Sequence, residues 1–299
     1  MTPISIRELS KRYGSVLALK GLELDAISGE ILGFLGPNGA GKTTTIRILL
    51  DLLRPTSGQA FIFGHDCQTQ GVKARSLIGY LPGELGIYGH LTGREVLDLL
   101  VGLEQCKLRA EYKRELQERL EFSDGDLRRR LREYSAGMKR KLGLIQAFQA
   151  DPPLLILDEP SESLDPLVQN ALYELLRELK GRGTTVFMSS HVVSEVARVC
   201  DRVALLRKGE LVLLSSVEEI CKRGSRRVHV AFEHEVNGTA AMPPGVGVIE
   251  QSQFGWTLNV EGPLGPVLEA LQGLPVKDLQ VAEPRLEEIV MKYYREGPS

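Results

Sequence analysis

Cysteine is scarce in this chain, its charge is balanced, and no apolar run in it is long. Four cysteines, Cys67, Cys106, Cys200 and Cys221, are scattered through 299 residues without metal-ligand spacing. They read as reduced thiols in a cytosolic chain, which leaves out a disulfide scaffold and a cysteine-held metal. The formal net charge of −2 gives no global pull toward nucleic acid or anionic lipid. A basic cluster at Arg128–Arg132 is interleaved with no aromatic residue beyond Tyr134, so it is expected on the surface rather than in a nucleic-acid patch. No apolar run approaches the roughly twenty residues of a membrane helix. The start, Met1-Thr2-Pro3-Ile4-Ser5, has no signal-peptide pattern. If the protein works at a membrane, another chain is expected to do the spanning. The remainder is ordinary globular composition, 42% hydrophobic and 25% charged, enough for one large or two modest domains.

The stretch that organises the chain is Gly36-Pro37-Asn38-Gly39-Ala40-Gly41-Lys42-Thr43-Thr44. Two glycines with the right separation precede Lys and Thr, an apolar run (Ile31–Leu35) leads in, and a helical stretch (Thr44–Leu53) leads out. That is the strand–loop–helix context of a phosphate-binding loop. The glycines free the backbone so that consecutive N–H groups turn inward, and the helix N-terminus adds partial positive charge. Lys42 is then expected to reach the β- and γ-phosphates of a nucleotide, and the Thr43 hydroxyl to ligate Mg²⁺. A chance match to the pattern is expected on the order of once in a hundred chains of this length.

Upstream, residues 3–9 and 16–26 look like strands, the second with Leu22, Leu24 and Ala26 on one buried face. Tyr13, between them, either packs within a hairpin or offers its ring to a stacked adenine. Downstream, strands are expected at 60–63 and 76–81. The character then changes. Thr92-Gly93-Arg94-Glu95 is a capping box, with Val96, Leu99, Leu100 and Leu103 at helical spacing behind it, and a mixed-charge helix follows from about 110 to 122. Residues 88–150 are thus expected to form a helical insertion, ending in a helix opened by Tyr134-Ser135-Ala136-Gly137-Met138.

Pro152-Pro153 breaks the chain before Leu154-Leu155-Ile156-Leu157-Asp158-Glu159. A short apolar run ending in acids is a central parallel strand that delivers carboxylates to its C-terminal end, where ligands sit in open α/β sheets. Asp158 is expected to hold Mg²⁺ directly or through water, and Glu159 to act as general base for an attacking water. Asp165-Pro166 starts a helix as N-cap and first helical residue, with Leu172, Leu175, Leu176 and Leu179 as its core stripe. A buried strand at 184–189 ends just before His191, which is expected to make a polar contact to phosphate. A hairpin surrounds Lys208-Gly209, and a short helix opened by Ser216-Val217-Glu218-Glu219 ends near Gly224. The domain boundary is set there. The tail, 225–299, is expected to be a small α+β unit without evident chemistry: strands at 227–233, 254–260 and 276–281, helices at 263–274 and 284–296, and a loop at Met242–Gly245.

This order of motifs resembles the ATP-binding cassette (ABC) family, and specifically the nucleotide-binding subunit of a transporter, over roughly residues 1–220. The resemblance implies an α/β P-loop NTPase fold with a mixed sheet core, antiparallel N-terminal strands and the helical insertion. It implies that Tyr13 stacks on adenine, that Gly36–Thr44 and Leu154–Glu159 are the Walker A and B motifs, that Asp165 is the D-loop acid, and that His191 contacts the γ-phosphate. Ser135 and Gly137 fall in the signature motif, which in the family closes on ATP held by the other protomer. Two copies, or one copy and a related cassette, are then expected to sandwich two ATP molecules and drive a separate membrane permease from its inner face. Two departures stand out. Gly83 holds the place of the family's Gln, with Glu84 beside it as the remaining candidate Mg²⁺ contact. The signature reads Tyr134-Ser135-Ala136-Gly137-Met138, and this form, with the trailing domain and its Pro284–Glu288 helix, resembles the branch of drug and antibiotic exporters. The departures also motivate an alternative, a regulatory subunit that binds ATP and hydrolyses little. A soluble ABC ATPase serving nucleic acid or cofactor assembly is disfavoured by the single cassette, the lack of a basic surface signal and the lack of a long coiled-coil insertion.

Overall fold

The computed structural model describes all residues except 85, 87, 88, 105–109, 224, 237–241, 283–285 and 297–299. They fall into two compact units, Met1–Ser215 and Ser216–Ser299. The sequence boundary at Gly224, itself outside the described residues, therefore comes after a helix that belongs to the second unit.

In the first unit, β1 (Ile4–Tyr13) and β2 (Val16–Asp25) form an antiparallel hairpin. Then follow β3 (Ile31–Leu35), α1 (Lys42–Leu49), β4 (Ser57–Ile62), β5 (His65–Asp66), α2 (Gly71–Arg75) and β6 (Ile78–Leu81). The helical stretch has α3 (Gly93–Glu104), α4 (Ala110–Arg119), α5 (Asp124–Arg128), a 3₁₀ turn at Leu131–Glu133 and α6 (Ala136–Phe148). It leads to β7 (Leu154–Asp158), α7 (Pro166–Gly181), β8 (Thr185–Ser190), α8 (Val193–Val199), β9 (Arg202–Arg207) and β10 (Glu210–Ser216). β9 turns into β10 through Lys208 and Gly209, both at positive φ (49° and 84°), as a two-residue hairpin turn demands.

Two sheets result. One, in the order β2-β1-β4-β5, is antiparallel; the other runs β10-β9-β3-β8-β7-β6, with β9, β3, β8, β7 and β6 parallel to one another. Strands β3, β7 and β8 are buried at every residue, as expected of parallel strands covered on both faces. Helix α1 is packed into the core between the sheets. Ile46, Ile48 and Leu49 join Ile4, Ile6, Leu22 and Leu24 of the antiparallel sheet and Phe34, Ile156 and Phe187 of the parallel one. Phe34 and Phe187 lie with ring centroids 5.1 Å apart. This anchoring holds the N-terminus of α1 at the C-terminal edge of the parallel strands.

Several elements differ from the sequence reading. Helix α1 ends at Leu49 rather than Leu53, and α2, α5 and α8 were not anticipated. Among the described side chains of α3, Val96 and Leu97 are buried, while Leu99, expected on the stripe, is 55% exposed; Leu100 and Leu103 lie outside the described side chains. The cysteines stay thiols where described: Cys67 and Cys200 are buried and Cys221 is half-buried. Burial pushes the Cys67 thiol up to about 12 and raises that of Cys200 well above its ordinary value, so neither is a reactive thiolate. Cys106 lies outside the described residues.

Carboxylates on the helices impose a pH dependence. The Ser123 hydroxyl donates to Asp126 in a reciprocal capping box, and the Arg119 guanidinium donates both ways to Glu178, at 2.6 and 2.8 Å. These bonds hold Asp126 and Glu178 below the ordinary carboxylate range. A depressed folded-state value adds stability that is present above the unfolded value and is lost as pH falls through the folded one. The thermal midpoint should therefore hold between pH 7 and about 5 and drop as the pH falls below about 4. In Arg119→Ala the acid-side drop should shrink, and an unchanged acid limb would remove the Arg119–Glu178 pair from this account.

The second unit contains α9 (Val217–Arg223), β11 (Arg226–Phe232), β12 (Val246–Ser252), β13 (Gly255–Val260), α10 (Gly265–Leu271), β14 (Val276–Ala282) and α11 (Leu286–Glu296). Its antiparallel sheet runs β12-β13-β11-β14 over a core of Val228, Val230, Phe232, Trp256, Leu258, Val260, Val267 and Leu271. Strand β12 was not anticipated, and Pro284 of the expected final helix is outside the described residues.

Candidate nucleotide site

The site is built at the C-terminal ends of β3, β7 and β8. The loop after β3 enters α1 through Gly41, which caps the helix at φ 113° and has no side chain to bond the first-turn amides. Those amides have no intrahelical acceptor and are left to an anion. Gly41 must be glycine on packing grounds too: a Cβ there would lie 2.7 Å from Leu19 Cδ2 and 2.9 Å from the Ala18 carbonyl. At Gly36 a Cβ would lie 2.6 Å from the Leu206 carbonyl. The loop is therefore clamped from outside, and its concave side is a cavity of about 310 Å³ lined by Pro37–Thr44, Gly83, Glu84, Asp158, Glu159 and Glu162 among others.

Lys42 is 6% exposed. Its Nζ donates to the Gly36 carbonyl at 2.6 Å and stands 3.4 Å from Glu159 Oε1. Asp158, 3% exposed, ends β7. One of its carboxylate oxygens accepts from the Ser189 hydroxyl, the other from Thr43 Oγ1 at 3.4 Å. Glu159 follows at φ 51°, a left-handed conformation uncommon outside glycine and found where surrounding structure enforces it. Its N–H donates to Ser189 Oγ at 3.1 Å. Its Oε2 lies 2.9 Å from His191 Nδ1 and accepts from the His191 N–H at 3.3 Å. Glu159 thus lies between a buried ammonium and a half-exposed imidazole.

The structure brings together Gly36–Thr44, Glu84, Asp158, Glu159 and, through Glu159, His191. It does not bring the remaining predicted residues to the cavity wall. Tyr13 is 47% exposed near the end of the β1–β2 hairpin, with the Lys11 ammonium 5.2 Å from its ring centroid. Ser135 caps α6, accepting from the Met138 N–H at 3.2 Å. A Cβ on Gly137 would lie 2.7 Å from the Ser163 carbonyl. Asp165 caps α7 by accepting from the N–H groups of Leu167 and Val168 at 3.1 Å, bonds that lower its pKa.

Three polar residues of this region escaped the sequence reading. Ser189 orients both Asp158 and the Glu159 amide; its signal is a hydroxyl closing an apolar strand two residues before His191. Arg140 is 6% exposed, and its signal is a cation on the buried stripe of α6, in line with Leu144 and Ala147. Glu195, 5% exposed on α8, accepts from Ser190 Oγ at 2.7 Å and from the Tyr173 hydroxyl at 3.3 Å, tying the end of β8 to α7.

The family model of the ABC transporter domain matches residues 19–162, which contain the loop, the insertion and β7. A daunorubicin resistance ATP-binding protein of Streptomyces coeruleorubidus is 32% identical over 97% of this chain and 92% of its own length. An uncharacterised ABC transporter ATP-binding protein of Nostoc is 40% identical over 69% of this chain, the matched stretch spanning 62% of that protein. Among solved structures, the ATP-binding subunit of an ABC transporter superposes with a TM-score of 0.68 at 31% identity, covering 73% of this chain and 92% of that one. A phosphate loop clamped on α1, acids at the end of an all-buried parallel strand, and a relative matched along nearly its whole length leave one assignment: the chain belongs to the ABC transporter family, as an ATP-binding and ATP-hydrolysing subunit.

Proposed function

We propose that this chain is the motor of an exporter, two cassettes closing on two ATP molecules and passing the motion to a separate membrane permease. The observation that carries the reading is the convergence of Lys42, Thr43, Asp158 and Glu159 on one cavity with the first-turn amides of α1. In this reading Lys42 meets the β- and γ-phosphates, Tyr13 offers its exposed ring to the adenine, and Glu159 takes the proton of the attacking water. Ser135, Gly137 and Asp165 then serve the ATP of the opposite protomer, which fits their place off this cavity's wall. His191, bonded to Glu159, orients that base and lies at the edge that the γ-phosphate approaches.

The residues present fit Mg²⁺. Thr43 and Asp158 supply hard oxygen donors 3.4 Å apart, with Glu84 on the same cavity wall. Among the described residues no cluster of three or more His, Cys, Asp or Glu forms a metal cage. A few protein oxygens completed by water and substrate phosphates are how Mg²⁺ is commonly held at nucleotide sites. When bound, the ion neutralises charge developing on the phosphates.

Among the described residues no helix is long and apolar enough to cross a membrane; in this reading a separate permease does the spanning. The relative named for daunorubicin resistance supports export. The test is fractionation of cells expressing a tagged chain. The chain should sediment with membranes, copurify in detergent with a polytopic protein, and hydrolyse ATP faster in that complex than alone. A chain that remains in the supernatant bound to nucleic acid contradicts the transporter reading.

A further inference from the structure

Arg140 lies on α6, the helix that Ser135 caps, and its guanidinium is spent on backbone carbonyls at the catalytic edge. Nη1 donates to the Pro82 carbonyl at 2.9 Å and to the Asp158 carbonyl at 3.2 Å. Nη2 donates to the Gly83 carbonyl at 2.8 Å and stands 3.4 Å from Glu162 Oε2. One planar group thus reaches the end of β6, the end of β7 and the turn that follows Glu159.

The bond to Asp158 matters most. Its carbonyl belongs to the peptide that joins Asp158 to Glu159. The other side of that peptide, the Glu159 N–H, donates to Ser189. The peptide plane is therefore held at both ends, by Arg140 and by Ser189, and the residue it feeds is Glu159 at φ 51°. A left-handed glutamate needs such over-determination to persist. The bonds to Pro82 and Gly83 do a parallel service for Glu84, whose backbone follows directly.

We propose that Arg140 is a positioning residue for ATP hydrolysis, its guanidinium fixing the Asp158–Glu159 peptide and thereby the direction of the Glu159 carboxylate. Lysine cannot replace it, because one ammonium on a flexible stem does not span acceptors fanned across a planar fork. The inference rests on Glu159 being the base.

The experiment is a double-mutant cycle on the full chain: wild type, Arg140→Met, Glu159→Gln and the double variant, with Arg140→Lys beside them. Steady-state kcat and KM for Mg-ATP, binding of a fluorescent ATP analogue in EDTA, and thermal midpoints are measured for each. Arg140→Met should lower kcat by about 10- to 100-fold, as misplacing a catalytic group by about 1 Å does, with KM and EDTA binding within about twofold. The double variant should turn over no more slowly than Glu159→Gln alone, because the misplaced group is already lost. Arg140→Lys should keep the fold and lose most of the same kcat, and it decides the matter if Arg140→Met does not fold. Multiplicative losses in the double variant, or an effect confined to KM, overturn the proposal. So does near-wild-type turnover in both folded Arg140 variants while Glu159→Gln is inactive. Turnover retained by Glu159→Gln is a different result: it overturns the assignment of the base, and with it this inference.

Discussion

Glu159→Gln should cut ATP turnover by about 10²- to 10⁴-fold, the range a positioned general base contributes, while leaving ATP affinity within a few-fold. The geometry sets both halves of this expectation. Glutamine keeps the shape of the side chain, so Ser189 and Arg140 still hold the backbone, and the first-turn amides of α1 are untouched. What is lost is the carboxylate charge between Lys42 and His191, and with it the capacity to accept a proton from water. Loss of that negative charge beside the Lys42 ammonium also frees the ammonium for phosphate. The variant should therefore hold ATP without consuming it and accumulate as a dimer on size-exclusion in Mg-ATP, while wild type returns to monomer as it hydrolyses. Phosphate release and elution volume are read on the same samples. Turnover near the wild-type rate would remove Glu159 from the base role. An inactive variant that stays monomeric would place the requirement for closure on the permease.

Much of this site was legible because its parts are local. The phosphate loop is a contiguous pattern of glycines, Lys42 and Thr43, and Leu154–Leu157 announces a strand buried on both faces. Asp165-Pro166 announces its own helix start. What was not legible is what depends on distant partners or lacks a period. Ser189 reaches Asp158 across the β7–β8 pairing, 31 positions away in sequence. Arg140 reads as one more charge in Lys139-Arg140-Lys141 until the fold carries Pro82 and Gly83 to it. Strand β12 has Gly247 near its start and is exposed along most of its length, so neither alternation nor an apolar run marks it. Helix α8 has Val192 at its N-cap and so no side-chain cap, and α5 is capped through Asp126 where the signature sought was Glu or Gln. In α3 the stripe was displaced because Leu97, not Leu99, is the residue turned inward.

Lys42→Ala should abolish productive nucleotide handling, with ATP affinity reduced tenfold or more and turnover down by at least about 10²- to 10³-fold, the scale of losing one preorganised donor at a transferring group. The ammonium is nearly fully buried and already desolvated by the fold. Its attraction to phosphate then acts at low effective dielectric, where it counts for more than in water. The Gly36 carbonyl fixes its direction. Lys42→Arg separates charge from shape. It keeps the positive charge, so a site that needed only a cation would recover most of its activity. The guanidinium, however, is a wide planar fork, and the space at Lys42 Nζ is bounded by the Gly36 carbonyl at 2.6 Å and Glu159 at 3.4 Å. Its bulk is expected to push into the loop where phosphate must sit, so Lys42→Arg should fail nearly as badly as Lys42→Ala. Calorimetric titration with ATP, alongside phosphate release, distinguishes the cases. Recovery of turnover to within about tenfold of wild type in Lys42→Arg would show that charge alone suffices, since tenfold is only about 1.4 kcal/mol of barrier. Failure of both variants, with thermal midpoints close to wild type, ties function to a compact ammonium held in one place by the loop's own backbone.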